Sequence, residues 1–302
     1  MATPTKIVDT HQHVCWHRRN ARGLVADMDA HGIAYAWLLN WCIGPAEEDP
    51  EYHQYFNPAL HRSDDTHPGI PLTELLSAEA QFPGRFVLGY CPNPAWRNAV
   101  ALLESAHAMH GARVCGEWKY RQLLDDPRSL EIFRAAGRLH MPVVLHLDVP
   151  YLKNSSGTWV YQPLWFGGTV AHLERAMQAC PDTVFIGHAP GFWREISGDA
   201  DDRTELYPDG PVTPGGRLLP LFDRYPNLYA DLSAGSGRTA LARDPAHAVD
   251  FLTRYADRIL FGRDYYEQKL HEVLRTLPLE AEVVEKIYWR NAECLVAAPG
   301  SS

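Results

Sequence analysis

The chain has 302 residues, with 28 Lys plus Arg against 37 Asp plus Glu and a formal net charge of −9, a balance that argues against a nucleic-acid backbone as the main ligand. No apolar run approaches the roughly 18 residues of a membrane span. The six cysteines lie scattered, without CxxC pairs or the density of a disulfide scaffold, so an unprocessed cytoplasmic protein with reduced thiols is expected.

Short apolar runs alternate with longer amphipathic segments along the chain, the pattern of a parallel sheet with crossover helices. The first run, Lys6 to Asp9, leads into Asp9-Thr10-His11-Gln12-His13. Further runs follow at Tyr35 to Asn40, Arg85 to Tyr90, Arg113 to Lys119, Pro142 to Leu147, Thr183 to His188, Asn227 to Leu232 and Arg258 to Gly262. Between them, Ser129 to His140 carries Leu130, Phe133, Ala136 and Gly137 at helical spacing, and Thr169 to Cys180 also reads as a helix. Eight such units in a chain of this length predict one α/β domain over residues 1–296, a closed (β/α)8 TIM barrel with long aromatic-rich βα loops, and a loose tail over 297–302.

The candidate site residues gather at strand ends. His11 and His13 are one residue apart, so on a strand both imidazoles face one side and can share a metal ion. Glu117, His146, His188 and Asp264 lie in or close four further runs, which places six potential ligands at the mouth of the barrel where catalytic groups of this fold sit. Asp9 shares the parity of His11 and His13 but lies deeper, as an orienter of a histidine or as a structural carboxylate.

Asp9-Thr10-His11-Gln12-His13, the strand around His146, Ile186-Gly187-His188-Ala189-Pro190-Gly191 and Leu260-Phe261-Gly262-Arg263-Asp264 together resemble the amidohydrolase superfamily. The similarity is to its amidohydrolase-related branch, which includes aminocarboxymuconate semialdehyde decarboxylase and metal-dependent lactonases, and it spans essentially the whole chain. It implies that His11, His13, His146 and Asp264 bind metal, with His188 a second-metal ligand or an acid/base group. The branch often reads Phe-Gly-Ser-Asp-Tyr-Pro at the eighth strand; here Arg263 replaces the serine and Tyr266 the proline.

By strand parity Glu117 and Lys119 both face inward. The resemblance implies that either type can bridge two ions, lysine after carbamylation, and a glutamate here is similar to the binuclear deoxyribonuclease branch. An ion pair between the two residues is the simpler alternative. Imidazoles and carboxylates without thiolate suit zinc, iron or manganese, and two divalent ions per chain are expected. Such ions activate water for attack on an acyl carbon, with Asp264 taking the proton and His188 completing the second metal shell or stabilising the oxyanion.

Aromatic residues crowd the loops after the strands. Trp16, Trp118, Lys119, Trp159, Trp193 and Tyr265 are the candidate substrate-binding residues, for a bulky, largely apolar small-molecule substrate. Loop packing or a homodimer interface would use the same tryptophans. The expected activity is metal-dependent hydrolysis of an ester, lactone or thioester. The alternatives are a mononuclear, metal-dependent, non-oxidative decarboxylase and a non-catalytic metal-binding barrel.

Overall fold

The computed structural model describes residues 2–44 and 47–300; the last two residues of the expected tail lie outside them. All eight expected runs form strands: β1 Ile7–Gln12, β2 Ile33–Leu39, β3 Phe86–Gly89, β4 Cys115–Trp118, β5 Val143–His146, β6 Phe185–His188, β7 Leu228–Asp231 and β8 Ile259–Leu260. They pair in parallel as two arcs, β1 to β3 and β4 to β8. The arcs join where Tyr90 N–H donates to the Val114 carbonyl (2.9 Å) and Thr10 N–H to that of Phe261 (2.9 Å). The result is a closed barrel. Its strands are buried on both faces, which is why Val143-Val144-Leu145 reads as an unbroken apolar run.

The two expected helices form close to their expected bounds, each with a local start signal. Pro127–Arg138 begins after Asp126, whose carboxylate accepts from Arg128 N–H, and carries proline in its first turn. Val170–Ala179 begins with a capping box between Thr169 and His172. Among the described residues no helix is long and apolar enough to cross a membrane.

One apolar cluster fills the barrel: Val8, Tyr35, Trp37, Val87, Val144, Ile186 and Leu260, together with Ala292 of the C-terminal helix Asn291–Leu295 and Val296 just past it. A larger cluster, including Trp118, Phe133 and Phe185, packs the helices onto the outside of the sheet. Besides a register shift between Ile7 and Val8, two bulges near the site interrupt the alternation between these layers. In β1 the register runs Asp9 opposite Ala36 but Gln12 opposite Leu38; in β4 it runs Cys115 opposite Val143 but Trp118 opposite Leu145. Each bulge inserts one extra residue, which re-aims the side chains beyond it. That is how Val8 enters the barrel floor while His11 and His13, at odd spacing from it, still face the mouth. Asp9 therefore does not share their inward direction. It is buried on the other side, against Arg263.

The antiparallel pair Trp41–Cys42 and Gly69–Ile70 follows β2 at the mouth. Gly69 has a φ of +78°, and a Cβ there would stand 2.0 Å from the Trp41 carbonyl oxygen. Gly69→Ala is expected to destabilise the protein by about 1 to 3 kcal/mol or more through that strained backbone. A denaturant midpoint equal to wild type would remove the steric argument.

Candidate functional site

Each of four buried or part-buried imidazoles has one ring nitrogen engaged by the surrounding structure and the other turned toward a shared space. His11 Nδ1–H donates to Asp231 Oδ2 (2.7 Å), and His13 Nδ1–H donates to the Leu39 carbonyl (2.8 Å). His188 Nδ1 lies 2.9 Å from Ser233 Oγ, and His146 Nε2–H donates to Asp148 Oδ2 (2.9 Å). Bonding one nitrogen selects the tautomer and points the other as a ligand. His11 Nε2 and His188 Nε2 are consequently buried without a hydrogen-bond partner among the described residues.

Glu117 stands between these rings. Its Oε2 is 3.5 Å from His13 Nε2, and its Oε1 is 4.0 Å from His11 Nε2 and 2.5 Å from His146 Nδ1. Asp264 Oδ1 closes one side at 3.6 Å from His13 Nε2. That aspartate has a φ of +61°, and its N–H donates to the His11 carbonyl (2.8 Å), which anchors a backbone conformation rare for a non-glycine residue. His146 and His188 are paired across β5 and β6 in register, so their rings share a face, 5.3 Å apart. Two ligand triads result, His11 with His13 and Glu117, and Glu117 with His146 and His188; a third joins His11, His188 and Asp231.

The electrostatics follow the contacts. Burial opposes charge on His11, but Asp231, aided by Asp264 and Glu117, outweighs it and raises the imidazole to about 10. Burial and the neighbouring His11 and His146 hold His188 far below the ordinary histidine value, so it is neutral. Glu117 is held well below the carboxylate range, because His146, Lys119 and His13 overcome its burial. His146 is raised: burial and Lys119 oppose its charge, while Glu117 and Asp148 on its two sides outweigh them.

All six expected donors therefore converge. Lys119 is close by, with neither a bridging position nor an ion pair to Glu117 within 4 Å among the described residues. Its Nζ lies over Trp41 at 4.0 Å from the ring centroid, with Phe166 at 5.2 Å and Tyr52 at 5.6 Å. Trp16 adjoins the site, its ring 6.2 Å from that of His13, and the Tyr265 ring lies 5.1 Å from that of His17.

The remaining expected substrate contacts lie elsewhere. Trp118 is fully buried against Tyr120 and Phe133 in the outer layer, since alternation turns it away from the mouth. Trp193 is buried against Phe192 and Phe251, with its Nε1–H donating to the Asp231 carbonyl. Trp159 is half exposed on the hairpin Tyr151–Lys153 and Trp159–Tyr161, beside a cavity of about 700 Å³ whose lining contains none of the six donors.

Asp231, Ser233 and Asp148 are the site residues that motif reading passed over. Asp231 ends β7 just as His146 and His188 end β5 and β6, so the strand-end rule applied to the seventh run would have found it. Asp148 lies two residues past His146. Ser233 has no sequence signal of its own.

The profile of the amidohydrolase family, the Amidohydro_2 group, matches residues 8–296. The chain belongs to this family. No curated protein matches it. Several solved structures share the amidohydrolase fold seen here. 5-Carboxyvanillate decarboxylase from Sphingomonas paucimobilis is 15% identical, with a TM-score of 0.62 over 96% of this chain and 98% of that one. Dihydroxybenzoic acid decarboxylase from Polaromonas, solved with manganese and the inhibitor 2-nitroresorcinol, is 19% identical, with a TM-score of 0.62 over 98% and 97%. A 2-pyrone-4,6-dicarboxylic acid hydrolase from Pseudomonas putida, assigned as such without proof, is 16% identical, with a TM-score of 0.55 over 97% and 98%. At such identities these likenesses establish the barrel and its architecture.

Proposed function

We propose that this amidohydrolase-family chain catalyses the non-oxidative, metal-dependent decarboxylation of an aromatic or conjugated carboxylic acid. The carrying observation is the convergence of His11, His13, Glu117, His188 and Asp264, with bare buried imidazole nitrogens, beside a mouth walled by Trp16, Trp41, Tyr52 and Phe166. Decarboxylases of aromatic acids among the similar structures support this reading over the hydrolysis expected from sequence, and manganese in one of them suits a donor set of nitrogen and oxygen without sulfur.

The unpartnered Nε2 atoms of His11 and His188 are what a metal-binding pocket requires, and the donors fit a divalent transition ion. His11, His13 and Glu117, with Asp264 beside them, would hold it. Bound there, it would supply Lewis-acid polarisation of a carboxylate oxygen. The aromatic walls orient the ring of the acid and exclude water from it. In the reaction the bond from the ring carbon to the carboxyl group breaks, carbon dioxide leaves with neither of the bonding electrons, and a proton takes its place on the carbon. That proton comes from water and is relayed through Nε2 of the neutral His188, whose ring Ser233 fixes through Nδ1.

A second reading, hydrolysis of an ester or lactone at two ions, is favoured by one feature. Glu117 belongs to both the His11–His13 triad and the His146–His188 triad, the position of a bridging carboxylate. Metal content of wild type and His146→Ala separates the two. One equivalent in both, with carbon dioxide released from hydroxylated benzoates or conjugated acids, is the expected result. Two equivalents falling to one, with lactones or esters cleaved and no carbon dioxide formed, would replace decarboxylation by hydrolysis.

A further inference from the structure

Lys119 is a cation the proposed reaction does not yet use. Glu117, two residues earlier in the chain, gives its oxygens to His146 and His13 instead. Asp148 gives one oxygen to His146, and its other oxygen is buried without a partner among the described residues. Lys119 Nζ lies within 4 Å of no carboxylate among the described residues, and sits in the box formed by Trp41, Phe166 and Tyr52. Aromatic faces hold an ammonium by its charge and accept none of its N–H bonds in the way a carboxylate does. The box thus keeps the ammonium in place and leaves its donors for another group.

Lys119 stands just past the end of β4, two residues beyond Glu117, and the walls around its ammonium are flat and aromatic.

We infer that the substrate is a dicarboxylate built on a flat ring or conjugated chain, with one carboxylate at the His11, His13 and Asp264 donors and the second on the Lys119 ammonium. This rests on the carboxylic-acid reading of the site and narrows it to dianions. The carboxylate on Lys119 is retained through the reaction and serves as the handle by which the ring is held. A monoacid of the same shape enters the same mouth but leaves the ammonium without its anion.

The test is calorimetric binding of benzoate and of the three benzenedicarboxylates to the metal-loaded protein, wild type and Lys119→Met. The thioether keeps the length and apolar packing of the lysine stem inside the box. A charge-assisted contact predicts that at least one dicarboxylate binds wild type about 10-fold or more tightly than benzoate. In Lys119→Met that advantage falls below about 2-fold while benzoate binding and metal content are unchanged; Lys119→Arg, which keeps the charge, restores part of it. If benzoate binds and no dicarboxylate binds better, or if the advantage survives in Lys119→Met, the dianion inference is overturned and the monoacid reading stands. If none of the four acids binds the metal-loaded wild type, both the carboxylic-acid reading and the inference built on it are overturned.

Discussion

Arg263→Leu is expected to lower stability by about 3 to 5 kcal/mol, the cost of leaving buried charges without their partner. The guanidinium ties three segments together. Its Nε–H donates to Asp9 Oδ2 (2.7 Å), its backbone N–H to Asp9 Oδ1 (2.9 Å), and one terminal nitrogen to Asp27 Oδ2 (2.8 Å) on the helix Ala21–Ala30. Asp9 and Arg263 are both essentially inaccessible. Leucine fills part of the volume but supplies no donor. Asp9 would keep the backbone N–H of residue 263, the Gln12 amide and the more distant His11 N–H, but lose the only cation bonded to it among the described residues. Burial already raises the Asp9 carboxyl against the pull of Arg263, and without the guanidinium it rises further. A carboxyl raised in the folded state binds more protons folded than unfolded, so stability falls as pH climbs from the ordinary carboxylate range through the folded value. The deficit of Arg263→Leu should therefore be largest at neutral pH and shrink toward pH 4. Urea midpoints for both proteins across that range would show it, and a deficit independent of pH would place the loss in packing instead of in Asp9.

Asp231→Ala is expected to reduce turnover at saturating metal by about 10- to 100-fold, the usual effect of removing a partner that orients a metal-binding histidine. The carboxylate accepts from His11 Nδ1–H at 2.7 Å and from Ser233 N–H at 2.6 Å, with no part of it exposed. It therefore positions His11 and, through Ser233, the ring of His188. A proton count distinguishes this role from a general loss of structure. With His11 raised to about 10, the metal-free wild type carries a proton on that imidazole between about pH 7 and 9, and an ion binding at Nε2 must displace it. Metal affinity should rise with pH across that window. Without Asp231 the largest support for that charge is gone, burial shifts His11 toward the neutral form against Asp264 and Glu117, and fewer protons are released per ion bound. Calorimetry at pH 8 in buffers of different ionisation enthalpy measures the difference. Equal proton release and equal turnover would remove Asp231 from the site.

The architecture of this chain was written locally. Eight apolar runs, each short and covered on both faces, specify a parallel sheet because burial on both sides tolerates no polar alternation, and strand-end histidines and carboxylates mark the mouth. Glu117, His146, His188 and Asp264 could thus be named from pattern alone. Fold membership came with them. Side-chain direction was a different matter. Asp9, His11 and His13 have the same parity in the sequence, yet an extra residue in β1 sends Asp9 outward to Arg263 while both histidines face the mouth; a bulge has no reliable signature in a single sequence. The tryptophans divide in the same way. Trp16 adjoins His13, but Trp118 and Trp193 are packed into the outer layer, and an indole serves a wall or a core equally well by composition.

What the sequence by itself determined, then, is the barrel and the set of groups able to bind a metal, since both depend on residue type and spacing along one strand. Only the tertiary structure decided which partner fixes each imidazole. Asp231 reaches His11 across 220 residues, Ser233 reaches His188, Asp148 turns back on His146, and Lys119 leaves Glu117 for an aromatic box. These pairings depend on strands brought together by closure of the barrel and on competition among neighbours for the same oxygen, and neither quantity exists until the chain has folded.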